Sequence, residues 1–267
     1  KKDAIWPFTV VGRPPQEDSQ FGKMIHYMTG KAIKDEIPGL KAINAVDESG
    51  VHPLLLAIGS ERYTPYNPSR VPQEILTIAN HILGTGQLSL AKYLLIVEEE
   101  GAPDINNKEL FFIHLLERVD WSRDMHFQTM TTIDTLDYSG EGLNEGSKLI
   151  IAAAGPKKRN LLKQKPLLKL SRKFTNICIV IDGVLAIDGN GSVEDLIQEL
   201  ENIHMDGIAL ITLVDDVLFV AEDFSNWLWV CFTRSNPSHD IYGLDEVLKN
   251  KHFSCSIPII DARIKKH

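Results

Sequence analysis

Cysteine is scarce in this chain, and what there is lies badly for chemistry. Cys178, Cys231 and Cys255 are an odd set with no CxxC spacing, which speaks against a disulfide framework or a thiolate metal site and for reduced thiols. Long apolar runs are missing as well. No stretch reaches the roughly 20 apolar residues that span a bilayer, and the opening KKDAIWPF lacks the apolar run of a secretory leader. Together these absences predict a cytoplasmic protein. Positive charge is in short supply, with 28 Lys and Arg against 36 Asp and Glu and a net charge of −8. Non-specific nucleic-acid binding needs clustered cations, so that class is set aside. The one basic stretch, from Lys157-Lys158-Arg159 to Arg172-Lys173, reads as a solvated linker. GxSxG, HExxH and P-loop motifs are absent. No histidine pairs at i, i+4 with a cysteine or carboxylate in a metal pattern. His26, His81 and His114 fall within predicted helices, as satisfied or solvent-facing side chains.

What is present is an ordinary globular pattern over 267 residues, enough for one large domain or two small ones. DAIWPFTVVG reads as a short strand ending at Gly12. Phe21, Met24, Ile25 and Met28 then form one helical stripe behind Pro15. LKAINAV and HPLLLAIG predict a hairpin across the turn DESG. VPQEILTIANHILGTG predicts a helix with Ile75, Ile78, Ala79 and Ile82 inward and Gly84 closing it. KYLLIVEEE is an unbroken apolar strand with an acidic end, the pattern of burial on both faces. NNKELFFIHLLERV predicts a third helix capped by Asn106 or Asn107. Beyond a Lys-, Leu- and Pro-rich linker or crossing arm from Gly155 to Lys173, the alternation resumes. NICIVID is a strand, SVEDLIQELENIH a helix and IALITLV a strand, with LFVAED and NWLWVCFT after them. Helix and strand alternating in this way predict an α/β fold with mixed sheets flanked by helices.

Several candidate sites weigh little. SGEGLNEGS, from Ser139 to Ser147, is glycine-rich but lacks phosphate-loop spacing and reads as a flexible surface loop. Asp188 to Glu199 spaces its oxygen side chains like a calcium loop, but Val193 stands where the sharp turn needs glycine. Ser192 capping a helix with Asp195 three residues on is the better reading. Glu98, Glu99 and Glu100 end a strand, where α/β folds place ligands, yet adjacent acids also make a solvated turn. A short echo links Arg118, Asp120 and Asp124 to Arg234, Asn236 and Asp240. An arginine fork bracing a turn against a carboxylate would account for it; so would chance.

A wider set of segments does point to a family. GRPPQEDSQFG behind an aromatic strand, VHPLLLAIGSERYTPY, AKYLLIVEEE, LLERVDWSRDM, TIDTLDYSG followed by GSKLIIAAAG, FTRSNPSHDIYG and the final IIDARIKKH occur in that order. As a set they resemble UbiD-type carboxy-lyases, the 3-polyprenyl-4-hydroxybenzoate decarboxylase-like enzymes. The match covers most of the chain and is weakest from about Lys157 to Asn226.

The resemblance implies an enzyme that decarboxylates aromatic or α,β-unsaturated acids with prenylated FMN and a divalent metal, Mn or Mg, in quinone biosynthesis among other roles. It implies that residues 1–12 close the flavin-binding barrel, that 13–155 are the C-terminal α/β domain, that 156–172 link, and that 173–267 are a second α/β lobe or an extension of the same domain. The family's Glu-Arg-Glu network and its metal and flavin ligands would lie upstream, so no catalytic, cofactor or metal residue carries over and this chain alone is expected to be inactive and cofactor-free. What carries over is the wall of the substrate cleft: Arg13, Glu17, Asp18 and Phe21, and the segment Thr135, Leu136, Asp137 and Tyr138. Expected partners are the N-terminal flavin-binding domains of the same protein, a small aromatic acid and further copies in a homo-oligomer. The alternative is a free-standing scaffold that serves a separate flavin-binding chain.

Overall fold

The computed structural model describes residues 36–50, 52–60, 70–140, 142–201 and 203–265. The expected first strand and helix, and Arg13, Glu17, Asp18 and Phe21 with them, lie outside the described residues. Within them the chain builds two five-stranded mixed sheets flanked by helices.

The first sheet has the order β1-β2-β3-β5-β4. Strands β1 (Leu40–Ala45) and β2 (Leu54–Gly59) form the expected antiparallel hairpin, and DESG supplies its 3-10 turn, with Gly50 at φ 89. Helix α1 (Gln73–Leu83) then buries Ile75, Ile78, Ala79 and Ile82. Strand β3 (Tyr93–Glu98) runs parallel to β2 and is buried along its whole length, because helices cover both faces of the sheet. Helix α2 (Lys108–Arg118) starts where the Asn107 side chain accepts from the Leu110 amide at 3.1 Å. Strands β4 (Met125–Thr132) and β5 (Glu145–Ala153) follow, with β5 parallel to β3 and β4 antiparallel on the edge.

The second sheet has the order β6-β7-β8-β12-β9. NICIVID is β6 (Phe174–Ile181). The sequence pattern runs it directly into a helix, whereas the structure inserts strand β7 (Val184–Gly189), paired back on β6. Gly183 at φ 79 permits the tight reversal between them. Helix α3 (Val193–Leu200) opens with the expected capping box of Ser192 and Asp195. Strand β8 (Leu210–Val214) leads into two helices, α4 (Val217–Glu222) and α5 (Phe224–Arg234). After a single turn at Pro237–Asp240 come β9 (Ile241–Leu244), the small hairpin β10 (Val247–Lys249) and β11 (His252–Ser254), and β12 (Ile257–Asp261).

The two sheets share one core. Side chains of β2, β3 and β5 on one side and of β7, β8 and β12 on the other close over α2 and α5, with Phe112, Trp227 and Phe232 at the centre. Helix α1 caps the outer face of the first sheet, and α3 that of the second. The stretch after Gly155 is a crossing arm without regular structure. Its Lys158 amide reaches Glu117 O at 2.7 Å, and its Leu162 amide reaches Gly207 O at 2.8 Å, which straps the end of α2 to the second sheet.

Two expectations need correction. SGEGLNEGS is not a loop throughout: β5 already begins at Glu145, and Ser147 is fully buried, donating to Asn236 Oδ1 at 2.5 Å. The echoed arginines do not fork onto the echoed carboxylates either. Arg118 donates to His114 O and Glu117, and Arg234 to Asp215. The turns are braced instead by backbone amides: Asp120 N to Asp124 Oδ2 at 2.8 Å and Asn236 N to Asp240 Oδ2 at 2.7 Å. An amide left unpaired where a helix ends meets the nearest carboxylate before a long side chain can reach it.

Candidate functional site

The expected cleft segment lies on the connection from β4 to β5. Three anchors hold it. His52 pairs with Asp134, tying the connection to the first hairpin. Asn144 donates to Ile133 O at 3.0 Å and to Thr135 Oγ1 at 2.8 Å, closing the two ends on each other. The third anchor is buried. Lys92, at the start of β3, has a side chain with 0% exposure and lies 2.8 Å from an Asp137 oxygen whose own side chain is 3% exposed. Lys92 also donates to Ser139 Oγ at 2.6 Å, and that hydroxyl donates onward to Asp137 Oδ1 at 2.5 Å.

Burial pushes the Lys92 ammonium below its usual range, against the pull of Asp137 and of Asp240 from the turn before β9. A second lysine lies close by. Lys148 on β5 donates to Ser89 O at 2.6 Å and Ala91 O at 3.0 Å; burial pushes its pKa down to about 8, with Asp137 pulling the other way. One carboxylate therefore serves two buried cations. The consequence is directional. Asp137 is drawn inward, so its neighbours Leu136 and Tyr138 turn out, at 55% and 56% exposure. Of the expected cleft residues described, Thr135, Leu136 and Tyr138 are together on one outward rim, and Asp137 is the peg beneath it.

Lys92 and Lys148 are the residues that sequence reasoning misses. A signal is present, since each lysine directly precedes an unbroken apolar run, in AKYLLIV and GSKLII. A cation there must be buried with a partner or be expelled.

At the carboxyl end of β3 the three glutamates part company. Glu98 is buried, pairs with Arg70 and accepts from the Gly155 amide at 3.0 Å. Glu99 and Glu100 are exposed, and Glu100 meets the same arginine at 2.5 Å. These hydrogen bonds raise the Arg70 pKa. Asp188 accepts from Thr175, Asn176 and the Val217 amide; burial works to raise its pKa, and these hydrogen bonds outweigh it and lower it.

No group of three His, Cys, Asp or Glu among the described residues stands together to hold an ion. Lys92, Lys148 and Arg70 are all engaged by carboxylates or carbonyls. Among the described residues no helix is long and apolar enough to cross a membrane.

The fold is an α/β architecture of mixed sheets flanked by helices. Residues 19–153 match the model of the 3-octaprenyl-4-hydroxybenzoate carboxy-lyase C-terminal domain, and the chain belongs to that family. A protein of Chlamydia trachomatis is 33% identical over 97% of this chain and 43% of its own length. A Chlamydia pneumoniae protein, named as one of the subunits of a 4-hydroxybenzoate decarboxylase, is 31% identical over 99% of this chain and 44% of its own. The chain thus spans less than half the length of these relatives. Among solved structures, a vanillic acid decarboxylase of Sedimentibacter hydroxybenzoicus in closed form aligns with 53% of this chain and 27% of its own, at 21% identity and a TM-score of 0.40. The UbiD-class enzyme of Pelotomaculum thermopropionicum in complex with FMN aligns with 56% and 28%, at 15% identity and a TM-score of 0.37. Both are partial likenesses, and the family assignment rests on the sequence match.

Proposed function

We propose that this chain is the C-terminal part of a UbiD-type decarboxylase of aromatic or α,β-unsaturated carboxylic acids, in which it forms one wall of the substrate cleft. The observation that carries the reading is the rim at Thr135, Leu136 and Tyr138, apolar in two of its three side chains and fixed from below by the buried Lys92–Asp137 pair. A wall for a flat acid needs apolar and aromatic surface held rigidly, and this rim offers both. Arg13, Glu17, Asp18 and Phe21 would complete the wall. In this reading residues 13–155 are the cleft-forming domain, and the chemistry, the prenylated FMN and a divalent metal belong to flavin-binding domains of the longer protein. The chain by itself is inactive, works in the cytoplasm and contributes contacts to a homo-oligomer.

The test is kinetic. In the full-length protein loaded with its flavin, Tyr138→Ala and Leu136→Ala should each raise KM for an aromatic acid by roughly 5- to 30-fold, the worth of about 1–2 kcal/mol of lost apolar contact. Flavin loading should stay the same. An unchanged KM in both variants would remove the rim from the cleft. Turnover by the 267 residues alone would refute the assignment of the chemistry to other domains.

A further inference from the structure

The echo between the two halves extends through the whole fold. β1 and β2 pair as Ala42↔Ile58 and Asn44↔Leu56, with a register shift next to Leu40↔Gly59. β6 and β7 pair as Asn176↔Asp188 and Cys178↔Ala186, with one of their two shifts next to Phe174↔Gly189 and the other, between Ile179 and Ile181, at the turn end of the hairpin. Leu54↔Tyr93 is matched by Val184↔Leu210, and Leu94↔Ile150 by Ile211↔Ile259. Met125↔Ile151 on the antiparallel edge is matched by Ile241↔Ile260. One residue-by-residue map satisfies all of these registers.

Hydrogen bonds outside the ladders obey the same map. Ser60 N to Gly39 O at 2.9 Å corresponds to Asn190 N to Lys173 O at 3.0 Å. The Gly155 amide meets Glu98 at the end of β3 as the Ile264 amide meets Asp215 just past β8, at 3.0 and 2.9 Å. The amide-to-carboxylate turns at Asp120–Asp124 and Asn236–Asp240 are a further pair. Shared topology alone would not demand a register shift at the same step or side-chain bonds at the same places, since bulges are features kept within a family rather than required by a sheet.

We propose that residues 171–265 are a second copy of the α/β unit at 37–155, and that the α2-bearing face of that unit is a two-fold pairing surface, filled in this chain by the second copy. The helices that meet at the shared core, α2 and α5, are partners in the map. Between the sheets lies a small apolar cavity of about 20 Å³. Its lining includes Leu116 with its counterpart Phe232, Tyr93 with Leu210, and Ile151 with Ile260. A cavity bordered by both members of these pairs straddles a local two-fold axis. The contact of Tyr93 with Phe232, ring centroids 4.9 Å apart, then has a mate at Leu210 and Leu116.

The copies have diverged where the charged cluster stands. Lys92 maps onto Ala209 and Lys148 onto Ile257, and the small hairpin of β10 and β11 replaces the rim between the last two strands. The second copy therefore supplies surface, and the anchored rim is particular to the first. This inference is independent of the decarboxylase reading.

Two measurements on the full chain test it. The first is a pair of double-mutant cycles, Tyr93→Leu with Phe232→Leu and Leu210→Ala with Leu116→Ala. Both pairs should couple with the same sign, by roughly 3- to 30-fold in the unfolding equilibrium constant. Coupling in the first pair with none in the second overturns the two-fold surface. The second inserts a protease site at the fully exposed Leu167 in the crossing arm. After cutting, the two pieces should travel as a one-to-one complex in native mass spectrometry at micromolar concentration. Pieces that separate without denaturant overturn the proposal, even if the core variants fail to fold.

Discussion

Replacing Asp137 by asparagine should be among the most damaging single changes at the rim. The carboxylate is the partner of the wholly buried Lys92 ammonium, at 2.8 Å, and it also faces Lys148. Breaking a buried ion pair from one side costs about 3–5 kcal/mol, because the remaining charge stays desolvated. Against a total stability of about 5–15 kcal/mol for a folded domain, that is a large fraction. The lysine limits the loss by releasing its proton, and this gives the variant a pH signature. An unpartnered Lys92 titrates in the fold still further below its unfolded value of about 10.4. Between those two values the unfolded chain binds more protons, so variant stability rises with pH and the deficit relative to the parent narrows. Urea unfolding followed by tryptophan fluorescence at pH 7 and pH 9.5 reads both numbers, since Trp121 and Trp227 are buried reporters. A loss under about 1 kcal/mol at pH 7, or a deficit that does not change with pH, would refute the account of the rim as pegged by this pair.

Further outcomes are expected. His114 is buried on α2, one turn before Arg118, and burial first, then that charge, pushes its pKa down to about 4; with a depressed folded value, its contribution is present above pH 6.5 and is lost as pH falls toward 4. Up to about 3 kcal/mol should disappear over that window, and His114→Gln should flatten it in chemical unfolding at pH 7, 5.5 and 4.5. Gly207 sits at φ +77 with the Leu162 backbone nitrogen 2.8 Å from where a Cβ would be. Gly207→Ala should therefore cost more than about 1 kcal/mol and loosen the crossing arm, seen as faster hydrogen exchange at the Leu162 amide. Ser192→Ala removes the cap of α3 and should cost about 1 kcal/mol in thermal unfolding, with an unchanged midpoint refuting the capping box.

Local features were legible from the chain alone. The apolar spacing of Ile75, Ile78, Ala79 and Ile82 defined the buried stripe of α1, and the Asn106–Asn107 pair and Ser192 marked helix starts, with the structure choosing Asn107, because period and caps are properties of neighbouring residues. The two-face burial of β3 followed from its unbroken apolar run. The family resemblance likewise came from ordered motifs, and the match over residues 19–153 agrees with it. The echo at Asp120–Asp124 and Asn236–Asp240 was visible too, but its arginine explanation failed, since a backbone amide left over at a helix end leaves no mark on side-chain spacing.

Only the tertiary structure decided how the charges divide. Nothing in TLDYSG distinguishes Asp137 from its neighbours, and its inward turn depends on a lysine that sequence places far away on β3. Nor does EEE say that Glu98 is buried under Arg70 while Glu99 and Glu100 meet water. Burying a charge is unfavourable until a partner arrives from elsewhere in the chain, so the outcome belongs to the packed state and not to any one segment.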